Sequence, residues 1–130
     1  MTLADDLKTY FNTNWVAGNC TKPTMYIGKL KQPTKDDYVL YFLDAKGEAD
    51  PKAFNQAKVV TTPFTIEGKA PDGTNGLKLL RESVRLIDAY SQSLSGAWME
   101  VLSGLEDPLE KIEEISITGT KTAWVAASTW

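Results

Sequence analysis

Apolar residues recur every three and four positions at the start of the chain. Leu3, Leu7, Tyr10, Phe11 and Trp15 fall on one face of a helix predicted over Thr2 to Asn14. Thr2 with Asp5 three residues on resembles a capping box, and Asp5 and Asp6 suit the positive end of the helix dipole. Gly18, Asn19 and Pro23 close the element. Thr24 to Leu30 then reads as a loosely alternating strand, with Gly28 marking a bulge or the close approach of another backbone. Tyr38 to Leu43 is the strongest strand signal. Both of its faces are apolar, so either it is central and covered twice or one face awaits a partner. Lys46 to Gln56 reads as a loop.

Lys58 to Glu67 is a third strand with Val60, Phe64 and Ile66 on a common face, and Pro63 inside it favours an edge or a bulge over a central position. Gly68 to Gly76, with Asp72-Gly73 and Asn75-Gly76, reads as a flexible loop. A second helix follows from about Leu77 to Ser91. Its stripe is Leu77, Leu80, Val84 and Ile87, widened by Leu86 and Tyr90, with Lys78, Arg81, Glu82 and Arg85 on the polar side. Ala97 to Leu102 and Ile112 to Thr118 are two more strands, and Thr120 to Trp130 an extended tail.

The order helix, three strands, helix, two strands is not the alternation of a doubly wound fold. It predicts one α+β domain over residues 1–130, a mostly antiparallel or mixed sheet of four to five strands with two main helices packed on it. The expected core is Leu7, Tyr10 and Phe11, Leu80, Val84 and Ile87, with Leu40, Phe42, Phe64, Ile66, Ile115 and Ile117 from the sheet.

Charge and composition narrow the function. The 130 residues hold 17 acidic and 14 basic side chains, a net charge of -3 that argues against a dedicated nucleic-acid binder. There is no histidine, which removes Ser-His-Asp and Cys-His catalysis and His-ligated zinc. Cys20 is the only cysteine, so neither an internal disulfide nor a multi-cysteine metal site can form, and a reducing, intracellular origin fits. The N-terminus lacks the pattern of a signal peptide, and no apolar run reaches the roughly 18 residues of a membrane span. The sequon Asn19-Cys20-Thr21 reads as chance.

The chemical constellations are weak. The acidic pairs Asp5/Asp6, Asp36/Asp37, Glu106/Asp107 and Glu113/Glu114, with the spaced Glu48/Asp50, resemble solvated turns more than a two-carboxylate hydrolase. Gly73 to Lys78 has glycines and a lysine before a helix, but its spacing is not that of a phosphate loop, and a turn with a helix cap is the simpler reading. Lys78, Arg81 and Arg85 share one helical face, either an ordinary solvated face or a grip for an acidic partner. No catalytic residue, metal ligand or cofactor is expected. Of the four tryptophans, Trp124 and Trp130 in the tail are candidate contacts for another chain.

Several segments together resemble a family. A short amphipathic helix ending in Asn14-Trp15 leads through Lys22-Pro23-Thr24 into a first strand. The strand Asp37-Tyr-Val-Leu-Tyr-Phe42, a strand Val59 to Ile66 and a helix containing Leu-Leu-Arg-Glu-Ser-Val-Arg-Leu-Ile follow. In this order the chain is similar to the tail terminator, or neck, proteins of long-tailed viruses of bacteria and archaea. The resemblance implies a structural virion protein without catalytic residues, built in the host cytoplasm. Such a protein is a six-fold ring that caps the tail tube, stops its growth and offers the head connector or head-completion protein a docking surface. The alternative is a small cytoplasmic α+β enzyme or regulatory binding module.

Two long segments, Lys46 to Gln56 and Gly68 to Gly76, are expected to be docking surfaces, with Asp50, Lys52, Lys69, Asp72, Lys78, Arg81 and Arg85 as candidates. Deleting Ala70 to Asn75 is expected to spare the fold. Between Lys22 and Lys35 lie four lysines and no acid, whereas Glu100 to Glu114 holds six acids and one lysine. Opposite-sign segments suit the heterologous contact of a cyclic ring, with Lys29, Lys31 and Lys35 on one side, Glu110, Glu113 and Glu114 on the other, and Trp124 and Trp130 adding apolar contact.

Overall fold

The computed structural model describes residues 3–28, 38–43, 52–54, 57–104 and 114–125. The elements are α1 (Leu3–Asn14), β1 (Thr24–Ile27), β2 (Val39–Leu43), β3 (Lys52–Phe54), β4 (Ala57–Lys69), α2 (Gly73–Ser93), β5 (Ala97–Ser103) and β6 (Glu114–Val125). The sheet runs β1-β2-β4-β6-β5, with β3 hydrogen-bonded to β4 off that path. β1 and β2 are parallel and every other pair is antiparallel, so the sheet is mixed and the α+β expectation holds. No helix among the described residues is long and apolar enough to cross a membrane.

Strand register explains why one face of the sheet becomes the core. Met25, Leu40, Gly68 and Ile115 stand side by side across four strands, and Ile27, Phe42, Ile66 and Ile117 form the next row. Because strand side chains alternate, these rows share one face. Both helices bury their apolar stripes against it, Leu3, Leu7 and Phe11 from α1 and Leu79, Leu80, Leu86 and Ile87 from α2, in a single cluster. Two glycines make this approach possible. A Cβ on Gly68 would lie 2.7 Å from Leu40 and 3.1 Å from Leu79, so the missing side chain admits α2 onto the sheet. A Cβ on Gly119 would lie 2.7 Å from the Phe64 ring and closer still to the Glu100 carbonyl.

Several sequence expectations are corrected. β4 is the middle of the sheet and not an edge, yet Pro63 is tolerated there. On one side, among the described residues, β3 pairs with Ala57–Val59 and β2 with Thr65–Lys69, and the described partner opposite Pro63 is Thr120 of β6. Gly28 does not mark a close approach, since space is open around it; its φ of 77° ends β1 in a conformation that glycine adopts freely. The segment Lys46 to Gln56 is not all loop, because Lys52–Phe54 is a strand folded back on β4. β6 runs on past Thr118, so Thr120–Val125 is strand and not tail.

The loop expected over Gly68 to Gly76 shrinks to a short link. Gly68 and Lys69 finish β4, Ala70 is fully buried, and α2 begins at Gly73. Asp72 caps it: Oδ1 accepts from the Asn75 N–H at 2.9 Å and Oδ2 from Asn75 Nδ2 at 2.8 Å. Removing Ala70 to Asn75 therefore deletes a buried residue and a helix cap, and the expectation that the fold survives this deletion is withdrawn.

The stripe of α2 is also rotated from the expected one. Gly76, Leu79, Leu80, Glu82, Ser83, Leu86 and Ile87 are buried, whereas Leu77 and Val84 are only partly so. Ser83 is accommodated by donating its hydroxyl to the Leu79 carbonyl at 2.8 Å. Glu82, expected on the solvent side, is the more consequential difference.

Candidate functional site

The C-terminus of α1 lacks a basic residue in its own last turn. Its unpaired carbonyls are met from elsewhere, as helix ends require. Lys22 Nζ donates to the Asn12 carbonyl at 3.0 Å, Asn14 Nδ2 to the Tyr10 carbonyl at 2.9 Å, and Arg85 Nη2 to the Asn14 carbonyl at 3.2 Å. Two cations from outside the helix thus sit at the negative end of its dipole.

Below Arg85 lies a clasp built on Glu82. Its carboxylate, 1% exposed, accepts from the Val16 N–H at 2.9 Å, from Asn19 Nδ2 at 3.0 Å, and from Arg85 Nε and Nη2 at 2.7 and 2.6 Å. The guanidinium is 43% exposed, so the pair reaches from the core to water. Burial alone pushes the Glu82 carboxyl up. The bonds from Arg85, Val16 and Asn19 outweigh it and hold the carboxyl below the ordinary glutamate range. Asn19, the sequon residue, has its amide engaged here.

The turn that Glu82 grips is closed by the Asn19 N–H to the Val16 carbonyl at 3.0 Å and by Trp15 Nε1 to the Cys20 carbonyl at 2.9 Å. Cys20 is 3% exposed, and its thiol is pushed up to about 11, first by burial and then by the charge of Glu82, against an opposing effect of Lys78. A thiol reagent at pH 8 is expected to leave the native protein unlabelled and to modify one thiol per chain in denaturant. Rapid native labelling would show that the turn opens.

A second feature is an open groove of about 320 Å³ beside α1, lined by Asp6, Thr9, Tyr10, Thr13, Asn14 and Tyr90. The Tyr10 and Tyr90 rings meet edge to face at 5.0 Å, and Lys121 Nζ lies 6.0 Å from the Tyr90 centroid. No group of three or more histidine, cysteine, aspartate or glutamate residues is placed to hold a metal among the described residues.

The third feature is the sheet face away from the helices. Thr61, Thr65, Thr118, Thr120 and Thr122 lie on it from β4 and β6, with Thr61 and Thr122 hydroxyls 3.5 Å apart. At its margin on β5, Trp98 and Leu102 are 46% and 66% exposed.

The anticipated interface and docking residues are scattered over these features. Lys78 and Arg81 are exposed on α2, but Arg85 is drawn to Glu82, so the three do not form one open cationic face. Asp72 is the helix cap, Lys69 ends β4 between Val39 and Glu114, and Glu114 opens β6 exposed. In backbone register Lys52 and Trp124 flank Val59 from either side. Lys29, Lys31, Lys35, Asp50, Glu110, Glu113 and Trp130 lie outside the described residues. Glu82 was not anticipated as important. Its burial has only one trace in the sequence, its place one residue from the Leu79–Ser83–Leu86 spacing.

Against known proteins these features find no counterpart by sequence: no protein-family model matches the chain, and a search of curated proteins finds no match.

Proposed function

We propose that the chain is a ring-forming virion protein that caps a tail tube and joins it to the head connector. Support comes from the order of elements that resembles tail terminators. The single observation that carries the ring is the asymmetry of the sheet, which ends in β1 on one side and β5 on the other. In sequence, the chain leaving β1 carries Lys29, Lys31 and Lys35, and the chain between β5 and β6 carries Glu106, Asp107, Glu110 and Glu113, with Glu114 opening β6. Unlike ends of opposite sign favour head-to-tail contact, and a head-to-tail contact that closes makes a ring.

Changing Lys29, Lys31 and Lys35 together to glutamate is expected to abolish assembly at moderate salt. Adding Glu110, Glu113 and Glu114 changed to lysine is expected to restore it, because the signs are again opposite. Light scattering reads both. Full assembly of the triple glutamate variant at low salt removes the electrostatic contact. The groove beside α1 favours a second reading, a monomeric binding module, which predicts a single-chain mass at every concentration.

A further inference from the structure

Among the described residues no strand pairs with the outer side of β1 or of β5. On β1 the N–H groups of Thr24 and Gly28 turn inward, to the Tyr38 carbonyl at 2.9 Å and the Phe42 carbonyl at 3.0 Å. Alternation along a parallel ladder turns the peptide groups of Met25 and Ile27 to the outer edge. On β5 the Met99 N–H points away from β6 and is taken by Ser91 Oγ at 3.0 Å. Natural edge strands are guarded by proline, inward-facing charge or a bulge. β5 carries no proline; its one charge, Glu100, is on the exposed face, and its irregularity lies between Val101 and Ser103, leaving Ala97–Val101 regular.

Resting on the ring reading, we propose that each subunit's β5 receives β1 of the next copy as an added strand. A rotation about an axis along the strands preserves their direction, and within one subunit β1 and β5 run oppositely. The added pair is therefore antiparallel. The register that fits sets Trp98 opposite Tyr26, Met99 opposite Met25 and Glu100 opposite Thr24. Trp98, 46% exposed, then covers Tyr26, whose ring already stacks on Tyr41 at 5.6 Å. Met99 and Met25, both half-buried at the margin of the core, close over one another. Addition exchanges the Ser91 hydroxyl at Met99 for a backbone carbonyl. Pairing β5 with β5 centred on Glu100 sets two copies of that carboxylate opposite each other, a repulsion that the unlike edge avoids.

Thr24→Cys and Glu100→Cys, both at exposed positions, test this in a Cys20→Ser chain under mild copper-phenanthroline oxidation. The double variant is expected to give a ladder of cross-linked multiples ending at the closed ring, and a mixture of the two single variants only dimers. Circular dichroism checks that each variant is folded. A ring of unchanged mass with no cross-link overturns this contact and leaves the ring reading standing. Dimers from Glu100→Cys alone mean like-edge pairing and overturn it too. A folded double variant and parent chain that are both monomeric overturn the contact and the ring reading together.

Discussion

Glu82→Ala is expected to destabilise the fold by about 1–3 kcal/mol, the cost of leaving hydrogen-bond donors without their acceptor, since the Arg85 charge it releases is 43% exposed. The substitution leaves the Val16 N–H, the Asn19 amide and the Arg85 guanidinium without the acceptor they share. It also frees the turn after α1 from α2. Arg85→Ala leaves the 1% exposed carboxylate without its counter-ion, held by Val16 and Asn19 alone among these partners, and is expected to cost at least as much. Glu82→Gln keeps one acceptor oxygen but turns an amide NH2 toward donors, and is expected to cost less than Glu82→Ala. The folded carboxyl titrates below its ordinary value of 4.5, so its contribution is fully present above that value and is lost as pH falls through the folded pKa. Urea melts at pH 7 and in the acid range measure both effects. Equal melting midpoints for the parent chain and Glu82→Ala would show that the clasp contributes nothing.

Phe42→Ala is expected to cost about 3–5 kcal/mol, the cavity-forming range for a buried phenylalanine. Phe42 is fully buried on β2, and its ring meets that of Phe11 edge to face at 5.2 Å, tying α1 to the sheet. It also stands in the row Ile27, Phe42, Ile66, Ile117, so its loss opens a gap across four strands. Phe42→Leu keeps most of the volume and should recover most of the midpoint. If Phe42→Ala melted with the parent chain, the apolar row would not be the core.

The elements legible in the sequence are those whose period is carried by apolar residues alone. α1 shows its face through Leu3, Leu7 and Phe11, and β2 shows a run buried on both faces. α2 was misread where polar residues are inside. Glu82 and Ser83 interrupt the apolar spacing, and their partners are a backbone carbonyl and a guanidinium one turn away and groups more than sixty positions earlier. Its start was misread because Gly73 and Gly76 resemble a loop, although the Asp72 cap makes that stretch helical. Pro63 argues against a central strand, yet β4 is central, because among the described residues β2 pairs with it after the proline and β3 before it. β6 continues past Thr118 through Gly119, where the Phe64 ring occupies the place of a side chain.

The same contrast holds for function. Net charge and the sign of two segments are sequence properties, and the expectation of a head-to-tail contact rests on them. Which edge each segment adjoins depends on strand order, and the order β1-β2-β4-β6-β5 is not written in any local pattern. That placement at opposite ends is the basis of the head-to-tail contact proposed above.

The mass of the purified chain in solution tests the central claim most directly. Light scattering after size exclusion at low and high salt is expected to give six copies of the 14.4 kDa chain at low salt, falling toward one as salt screens the contact. A single-chain mass at low salt and high protein concentration would contradict the ring.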